Sequence, residues 1–146
     1  MGIKMQYAAR GYIASGEYHG NRTPQHIQNQ IVKQYCDAQN LNFVLSRAEY
    51  WINGNTKCQL WAALKEGFKH IVFFSFLQLP LDEKEREEVY KYCLKNGITL
   101  HFATERISTD AGICSFADLE LLMKSRLLMT TDSDSNNHLD ILRELI

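Results

Sequence analysis

Side chains that can do chemistry gather just after four apolar segments of the chain. In chain order they are Ser15, Arg22, Thr23, Gln25 and Gln28, then Glu49 and Tyr50, then Ser75, and finally Glu105 and Arg106. Hydroxyl, carboxamide, carboxylate and guanidinium groups of this kind bind anions and sugar hydroxyls, or act as acids and bases. If the four segments are parallel strands, these groups meet at one edge of a sheet.

The start of the first helix is typical of an anion site. Thr23 is a good N-cap, and Pro24 suits the first helical position because its missing N–H would be unpaired there. A helix N-terminus attracts anions, and Arg22 adds a guanidinium suited to a phosphate or carboxylate. Gln25 and Gln28 project from the first turns. We favour anion binding here over a plain capped helix with a solvated arginine.

Three residues are candidates for catalysis. Ser15 ends a strand and would be a nucleophile if a base such as His19 activated it, although a ligand contact or structural hydrogen bond is favoured. Glu49 and Glu105 each follow a strand, where two carboxylates can share acid–base work. The alternative for Glu105, which we favour, is an ion pair with an arginine. Ser75 either lines the pocket or caps a turn.

Strands and helices alternate along the chain. The most hydrophobic strand is a continuous apolar run, which suits burial on both faces of a parallel sheet. Predicted strands cover residues 10–15, 42–46, 70–75 and 98–103, and predicted helices begin at residues 23, 55, 82 and 115. The pattern predicts an α/β domain over residues 1–129, a doubly wound three-layer sandwich with a four- or five-stranded, mostly parallel sheet. A polar linker (130–137) and a short amphipathic segment (138–146) follow, the latter a possible homodimer contact.

Composition excludes several classes of function. A net charge of -1 over 146 residues and a pI of about 6.5 argue against a nucleic-acid partner. No apolar run reaches a membrane-spanning length, and no secretory signal is evident, so a cytoplasmic location is expected. The four cysteines have no Cys-x-x-Cys spacing, and Cys36 and Cys93 are interpreted as reduced core residues. No metal or nucleotide signature is present, and no cofactor is predicted.

Between about Gly11 and Glu105 the chain resembles the sporadic carbohydrate cluster proteins, a small bacterial family. The likeness consists of short motifs, which are Gly11-Tyr12-Ile13, Arg22-x-Pro24-Gln25, Gln28-Asn29, Tyr35-Cys36, Leu45-Ser46, Glu49-Tyr50, Phe74-Ser75, Leu79-Pro80, Arg86 and Phe102-Ala103-x-Glu105. Members of that family are encoded among genes for surface polysaccharides or unusual sugars. The resemblance implies a role in carbohydrate biosynthesis without assigning a reaction.

The chain also resembles the catalytic domain of serine recombinases, or resolvases. Tyr12 and Ser15 are similar to the strand that carries the recombinase nucleophile, although the spacing is one residue shorter. The Gln-rich first helix and a fourth strand leading to a glutamate are similar as well. The recombinase motif Asp-Arg-Leu-x-Arg, whose arginines hold the scissile phosphate, is replaced by residues 76–80, Phe-Leu-Gln-Leu-Pro. The resemblance therefore implies a resolvase- or flavodoxin-like fold rather than strand exchange.

These observations lead to one hypothesis with two alternatives. The leading hypothesis is a cytoplasmic protein of carbohydrate biosynthesis that binds an anionic sugar or sugar phosphate at its strand ends. The alternatives are a degenerate recombinase-like domain acting on DNA and a non-catalytic module that dimerises. The residues do not distinguish a binding protein from an enzyme.

Overall fold

The computed structural model describes residues 7–15, 23–50, 57–110 and 115–130. The strands are β1 (Ala8–Ser15), β2 (Asn42–Tyr50), β3 (His70–Phe73), β4 (Thr99–Phe102) and β5 (Ile107–Ser108). The helices are α1 (Gln25–Ala38), α2 (Cys58–Leu64), α3 (Glu83–Asn96) and α4 (Phe116–Thr130), with a short 3-10 helix at Phe76–Gln78. Arg22 and the segment 138–146 lie outside the described residues, as does all of the linker 130–137 beyond its first residue, so their predicted roles stay predictions.

The sheet has the order β2-β1-β3-β4-β5, and only β5 runs antiparallel to its neighbour. The chain moves from β1 outward to β2 and then back past β1 to β3. With right-handed crossovers, this reversal puts α1 on one face and α2 and α3 on the other. The predicted doubly wound α/β fold is confirmed. In sheets of this order, the switch point lies between β1 and β3.

The first helix shows how the apolar spacing builds the layers. Gln28, Val32 and Cys36 recur every four residues, lie on one face of α1 and are fully buried. The buried thiols of Cys36 and Cys93 have pKa values raised to about 12 by desolvation, so both are the inert core residues predicted. Within the described residues, no helix combines the length and the apolarity needed to cross a bilayer.

Gly11 lets the two longest strands pack closely. It pairs with Ser46 of β2 in the parallel ladder. A Cβ atom at Gly11 would overlap Oγ of Ser46 and lie 2.9 Å from a ring carbon of Phe43. Because β-carbons do not approach other atoms this closely, only glycine fits at this position.

Arg86 fastens α3 to α4 and to the loop before α3. Its side chain is 2% exposed, and its Nε and Nη2 atoms donate to both carboxylate oxygens of Glu120 at 2.8 and 2.7 Å. Nη1 donates to the carbonyl oxygens of Pro80 and Leu81. Tyr90 donates its hydroxyl to the same carboxylate at 3.0 Å. The guanidinium is therefore committed to structure.

Candidate functional site

Gln28 anchors the start of α1 to the carboxyl end of β1. Its Oε1 accepts from the backbone N–H of Ala14 at 3.0 Å, and its Nε2 donates to the carbonyl oxygens of Ala14 and Thr23. The Gln28 carboxamide thus bonds both the N–H and the carbonyl oxygen of Ala14, as a residue of a neighbouring strand would. Gln28 was predicted to contact a ligand, and its described contacts give it a positioning role at the switch point.

Gln78 lies against Gln28 and has an unused acceptor. Its Nε2 donates to Oε1 of Gln28 at 2.9 Å, and its side chain is fully buried. Its own Oε1 is buried and has no hydrogen-bond partner among the residues that the structure describes. A buried carboxamide oxygen without a donor costs roughly 1–3 kcal/mol. Such a group is suited to accept a hydrogen bond from a hydroxyl or amide of a ligand.

Ser75 and Glu105 meet at the ends of β3 and β4. The Ser75 hydroxyl donates to Glu105 at 2.8 Å and accepts from the backbone N–H of Leu77, so it also caps the 3-10 helix. The backbone N–H of Phe76 donates to the other carboxylate oxygen. Burial nevertheless raises the pKa of Glu105, against these donors. A carboxyl group with a raised pKa is suited to donate a proton. Its described hydrogen-bond donors are a hydroxyl and an N–H, and the charge of Arg126 acts on it as well. Among the described residues it forms no ion pair with Arg106, and the predicted alternative, Arg22, lies outside them.

Glu49 is used to cap a helix. It is buried, and its carboxylate accepts the Tyr12 hydroxyl at 3.1 Å and the backbone N–H groups of Gln59 and Leu60 in the first turn of α2. A carboxylate is favoured at this position because a helix N-terminus carries a partial positive charge. Glu49 therefore caps the first turn of α2 through its side chain. The predicted helix start at residue 55 lies outside the described residues.

Glu49 and Glu105 are not brought together as an acid–base pair. Glu49 belongs to β2 and faces α2, whereas Glu105 follows β4, and β1 and β3 lie between those two strands. Three strand spacings separate the two backbones by about 14 Å. Carboxylates that share glycosidic chemistry are about 5–10 Å apart.

Lys57 is a buried residue whose amine is affected by the charge of Glu49, and it was not predicted from the sequence as a site residue. It is 2% exposed, and burial lowers the pKa of its amine to about 8, an effect that the charges of Glu49 and Glu85 oppose. No sequence signal marks this lysine, since a lysine just before a helix normally reads as solvated. Its neighbours place it on the α2 side of the sheet, opposite Gln28.

The remaining predicted residues are distributed around the same edge. Ser15 is a half-buried strand end paired with Tyr50, whose backbone alone is described. Pro24, rather than Thr23, occupies the N-cap of α1, without a side-chain cap. Its ψ of 142° is not helical, so the helix begins one residue later than predicted and the Thr23 hydroxyl stands too early to cap it. Gln25 is exposed on the first turn.

Two other arginines are held away from this edge. Arg10 and Arg47 both donate to Glu66, at 2.9 Å each, and Arg47 also donates to Gln59. These pairs brace β1 and β2 against the end of α2. Together with Arg86, they show that these guanidinium groups are occupied by carboxylates of the protein itself.

A second polar cluster lies under α1. The hydroxyl of Tyr35 is 2.7 Å from Nδ1 of His101, and Nε2 of His101 is 3.0 Å from Nδ1 of His70. A neutral pair satisfies this geometry when Tyr35 donates to His101 and His101 donates to His70. Burial, and then the neighbouring His70, lower the pKa of His101 to about 4. These residues were missed in the sequence because they come from three separate elements.

The buried imidazole makes the fold sensitive to acid. Folded His101 stays neutral down to about pH 4, whereas the unfolded chain takes up a proton below about pH 6.5. The unfolded state therefore binds more protons between these values, and stability should fall by up to about 3 kcal/mol as the pH drops from 6.5 to 4. Urea unfolding at several pH values measures this loss.

Carboxylates also titrate in this range, so the comparison is with His101→Gln. The difference in stability between parent and variant should shrink steadily as the pH falls. A difference that stays constant from pH 7.5 to 4.5 would show that His101 is not the responsible group.

The solved structures that share this fold include two recombinase domains. The N-terminal catalytic domain of TP901-1 integrase aligns with a TM-score of 0.59 at 14% identity, covering 94% of this chain and 98% of the other. A resolvase family site-specific recombinase from Streptococcus pneumoniae aligns with a TM-score of 0.54 at 10% identity, covering 93% and 95%. No protein-family profile and no curated protein sequence matches the chain.

At these identities the likeness establishes the fold and not a shared activity. The predicted similarity to the recombinase catalytic domain is confirmed at the level of a resolvase-like α/β fold with a five-stranded, mostly parallel sheet. The resemblance to the sporadic carbohydrate cluster proteins is supported by the sequence motifs alone.

Proposed function

We propose that this chain is a degenerate serine-recombinase-like domain whose strand ends bind a small ligand instead of exchanging DNA strands. The ligand we propose is an anionic sugar or sugar phosphate. The observation that carries the proposal is Gln78, a buried carboxamide whose Oε1 has no donor among the described residues. It lies in the segment 76–80, in which Leu77 and Pro80 occupy the two arginine positions of the recombinase motif.

The positions and partners of the basic side chains support the proposed loss of strand exchange. After β3 the chain forms a 3-10 helix whose three residues are all buried and none of them basic. The next arginine, Arg86, is bound to Glu120 and to two carbonyl oxygens. A scissile phosphate would meet carboxamides and a carboxylate here, which do not neutralise its charge.

The remaining groups suit a polyhydroxylated molecule. Gln78 offers an acceptor, Ser75 a hydroxyl, and Glu105 a carboxyl that can accept from a hydroxyl or donate a proton. Arg22 and the exposed N–H groups at the start of α1 would hold the anionic part. The resemblance to sporadic carbohydrate cluster proteins points to the same class of ligand.

The test is calorimetry with glucose 1-phosphate, mannose 1-phosphate and the free sugars. Gln78→Leu removes the unpaired acceptor while keeping the side chain's bulk. We expect sugar phosphates to bind at least tenfold more weakly to this variant, because a ligand donor then loses its partner. The free energy of unfolding should change little. The loss of one hydrogen bond to Gln28 lowers it, and the removal of one unpaired buried oxygen raises it.

The matched control is Gln30→Leu, the same change on the exposed face of α1. Arg22→Ala should weaken sugar phosphates and leave free sugars unaffected. Equal affinities for parent and Gln78→Leu, or no binding by the parent, would refute the proposal.

A second candidate function is action on a DNA phosphodiester. The position of Ser15 at the end of β1, an interior strand of the sheet, favours it, since a recombinase nucleophile occupies a similar strand end. Gel-shift and plasmid-cleavage assays on parent and Ser15→Ala distinguish the two proposals. Cleavage that depends on Ser15 would replace the sugar proposal with this one.

A further inference from the structure

A cavity of about 200 Å³ lies beside the second half of α1, away from Gln78. Its polar lining comes from Gln34, Tyr35 and Gln39 of α1 and from Arg106 in the turn between β4 and β5. Ile31 and Ala103 contribute to its apolar wall. A liquid water occupies about 30 Å³, so the space admits a small organic molecule. It is open to solvent, since Gln34, Gln39 and Arg106 are exposed.

Arg106 has an unusual backbone for its residue type. Its φ is +57°, in the left-handed region that non-glycine residues seldom adopt and that costs of order 1 kcal/mol or more. The turn is closed by a hydrogen bond from its own N–H to the carbonyl of Phe102 at 2.8 Å. Among the described residues, its guanidinium forms no ion pair, unlike those of Arg10, Arg47 and Arg86. Arg106 is exposed and lines the cavity, so this strained residue offers a cation that no carboxylate of the described residues occupies.

We propose that this cavity is a second ligand site, for a small carboxylate with an apolar body. The guanidinium of Arg106 matches a carboxylate with two parallel hydrogen bonds. Gln34 and Gln39 add carboxamide donors, and the wall of Ile31 and Ala103 accommodates carbon atoms. This site does not depend on the proposed sugar site, because it uses neither Gln78 nor Glu105.

The charges around the cavity are compatible with a carboxylate. The nearest imidazole, His101, is neutral near pH 7 because its pKa is about 4. Asp110 is the acidic group whose charge reaches Tyr35, but it is exposed to solvent and accepts a hydrogen bond from Thr99. Arg106 is therefore the lining residue that sets the sign of the ligand.

Tyr35 gives the site a built-in reporter. Its ring lines the cavity, while its hydroxyl contacts His101 at 2.7 Å. A ligand against the ring should change the environment of the His101 imidazole without touching it. NMR of the carbon-bound ring protons of His101, assigned by comparison with His101→Gln, would measure this effect separately from direct contact.

The experiment is an NMR titration of the full chain at pH 7 with benzoate, butyrate and the neutral analogue benzamide. The expected result is saturable millimolar binding of the carboxylates, with shifts at Gln34, Tyr35, Ala103 and the His101 ring. In Arg106→Gly the guanidinium is removed, and glycine adopts the required φ without strain. Benzoate should then bind at least tenfold more weakly, while benzamide binding is weak and unchanged.

Two controls keep the outcome interpretable. Lys33→Ala removes an exposed cation beside the cavity that does not line it, and should leave benzoate affinity unchanged. Urea unfolding of Arg106→Gly should show a midpoint at or above that of the parent, which excludes misfolding. Equal benzoate affinity in parent and Arg106→Gly, or shifts spread over surface cations elsewhere, would overturn the proposal. Loss of sugar-phosphate binding in Gln78→Leu would not bear on it.

Discussion

Replacing Arg86 with methionine should lower the free energy of unfolding by about 3–5 kcal/mol, because it leaves a partly buried carboxylate without its cation. The guanidinium provides two short bonds to Glu120 and two more to the carbonyl oxygens of Pro80 and Leu81. Methionine keeps the packing of the stem but satisfies none of these acceptors. Chemical denaturation of parent and variant measures the loss.

Two further variants test this assignment. Lys91→Ala breaks a fully solvated pair with Glu87 and should change stability by less than about 0.5 kcal/mol. The double variant Arg86→Met with Glu120→Leu should recover much of the loss, because the abandoned charge is then gone. A single variant as stable as the parent would show that the charge pair contributes nothing to holding α4 in place.

Gly11→Ala should destabilise the protein by about 1–3 kcal/mol, the usual cost of forcing a methyl group into a packed core. The new Cβ would overlap Oγ of Ser46, which is itself buried without a hydrogen-bond partner. The side chains of Ser46 and Phe43 would have to shift, one residue beyond the register shift between Ala9 and Arg10. Thermal and urea unfolding detect the change.

Ser46→Gly serves as the compensating variant. Alone it should cost little, and combined with Gly11→Ala it should restore most of the stability, since the oxygen in the way is removed. Phe43, at 2.9 Å from the added carbon, limits the recovery. If the losses of stability in the two single variants simply add in the double variant, Ser46 is not the residue with which the new methyl group collides.

The fold was predicted well from the sequence where interactions between residues close together in the chain determine the structure. Gly97 ends α3 in a left-handed conformation with φ of 65°, and the Ser115 hydroxyl accepts from Asp118 at the start of α4, both as the sequence indicates. The third strand was predicted two residues too long, because Ser75 already caps the following 3-10 helix. The sequence did not predict β5 as a separate strand, because two residues between turns carry no period of their own.

The candidate site was predicted less completely, because its contacts join residues far apart in the chain. The pairing of Ser75 with Glu105 follows from two adjacent strand ends, and the sequence placed both residues there. Glu49 looked like an acid or base, yet its role depends on α2 starting beneath it. Gln78 entered the sequence-based prediction only as part of the segment 76–80, since its contact with Gln28 exists only once β1 and β3 are paired.

The position of β1 in the sheet also constrains the order in which the protein can fold during synthesis. Among the described strands β1 is made first, but it occupies an interior position, with β2 on one side and β3 on the other. Asn42, which pairs with Ala8, is synthesised well after it. Phe73, which pairs with Tyr12, is synthesised later still. A nascent chain that ends before residue 70 therefore leaves one side of β1 without its β3 partners. Until then, the edge of that strand is open to association with other chains.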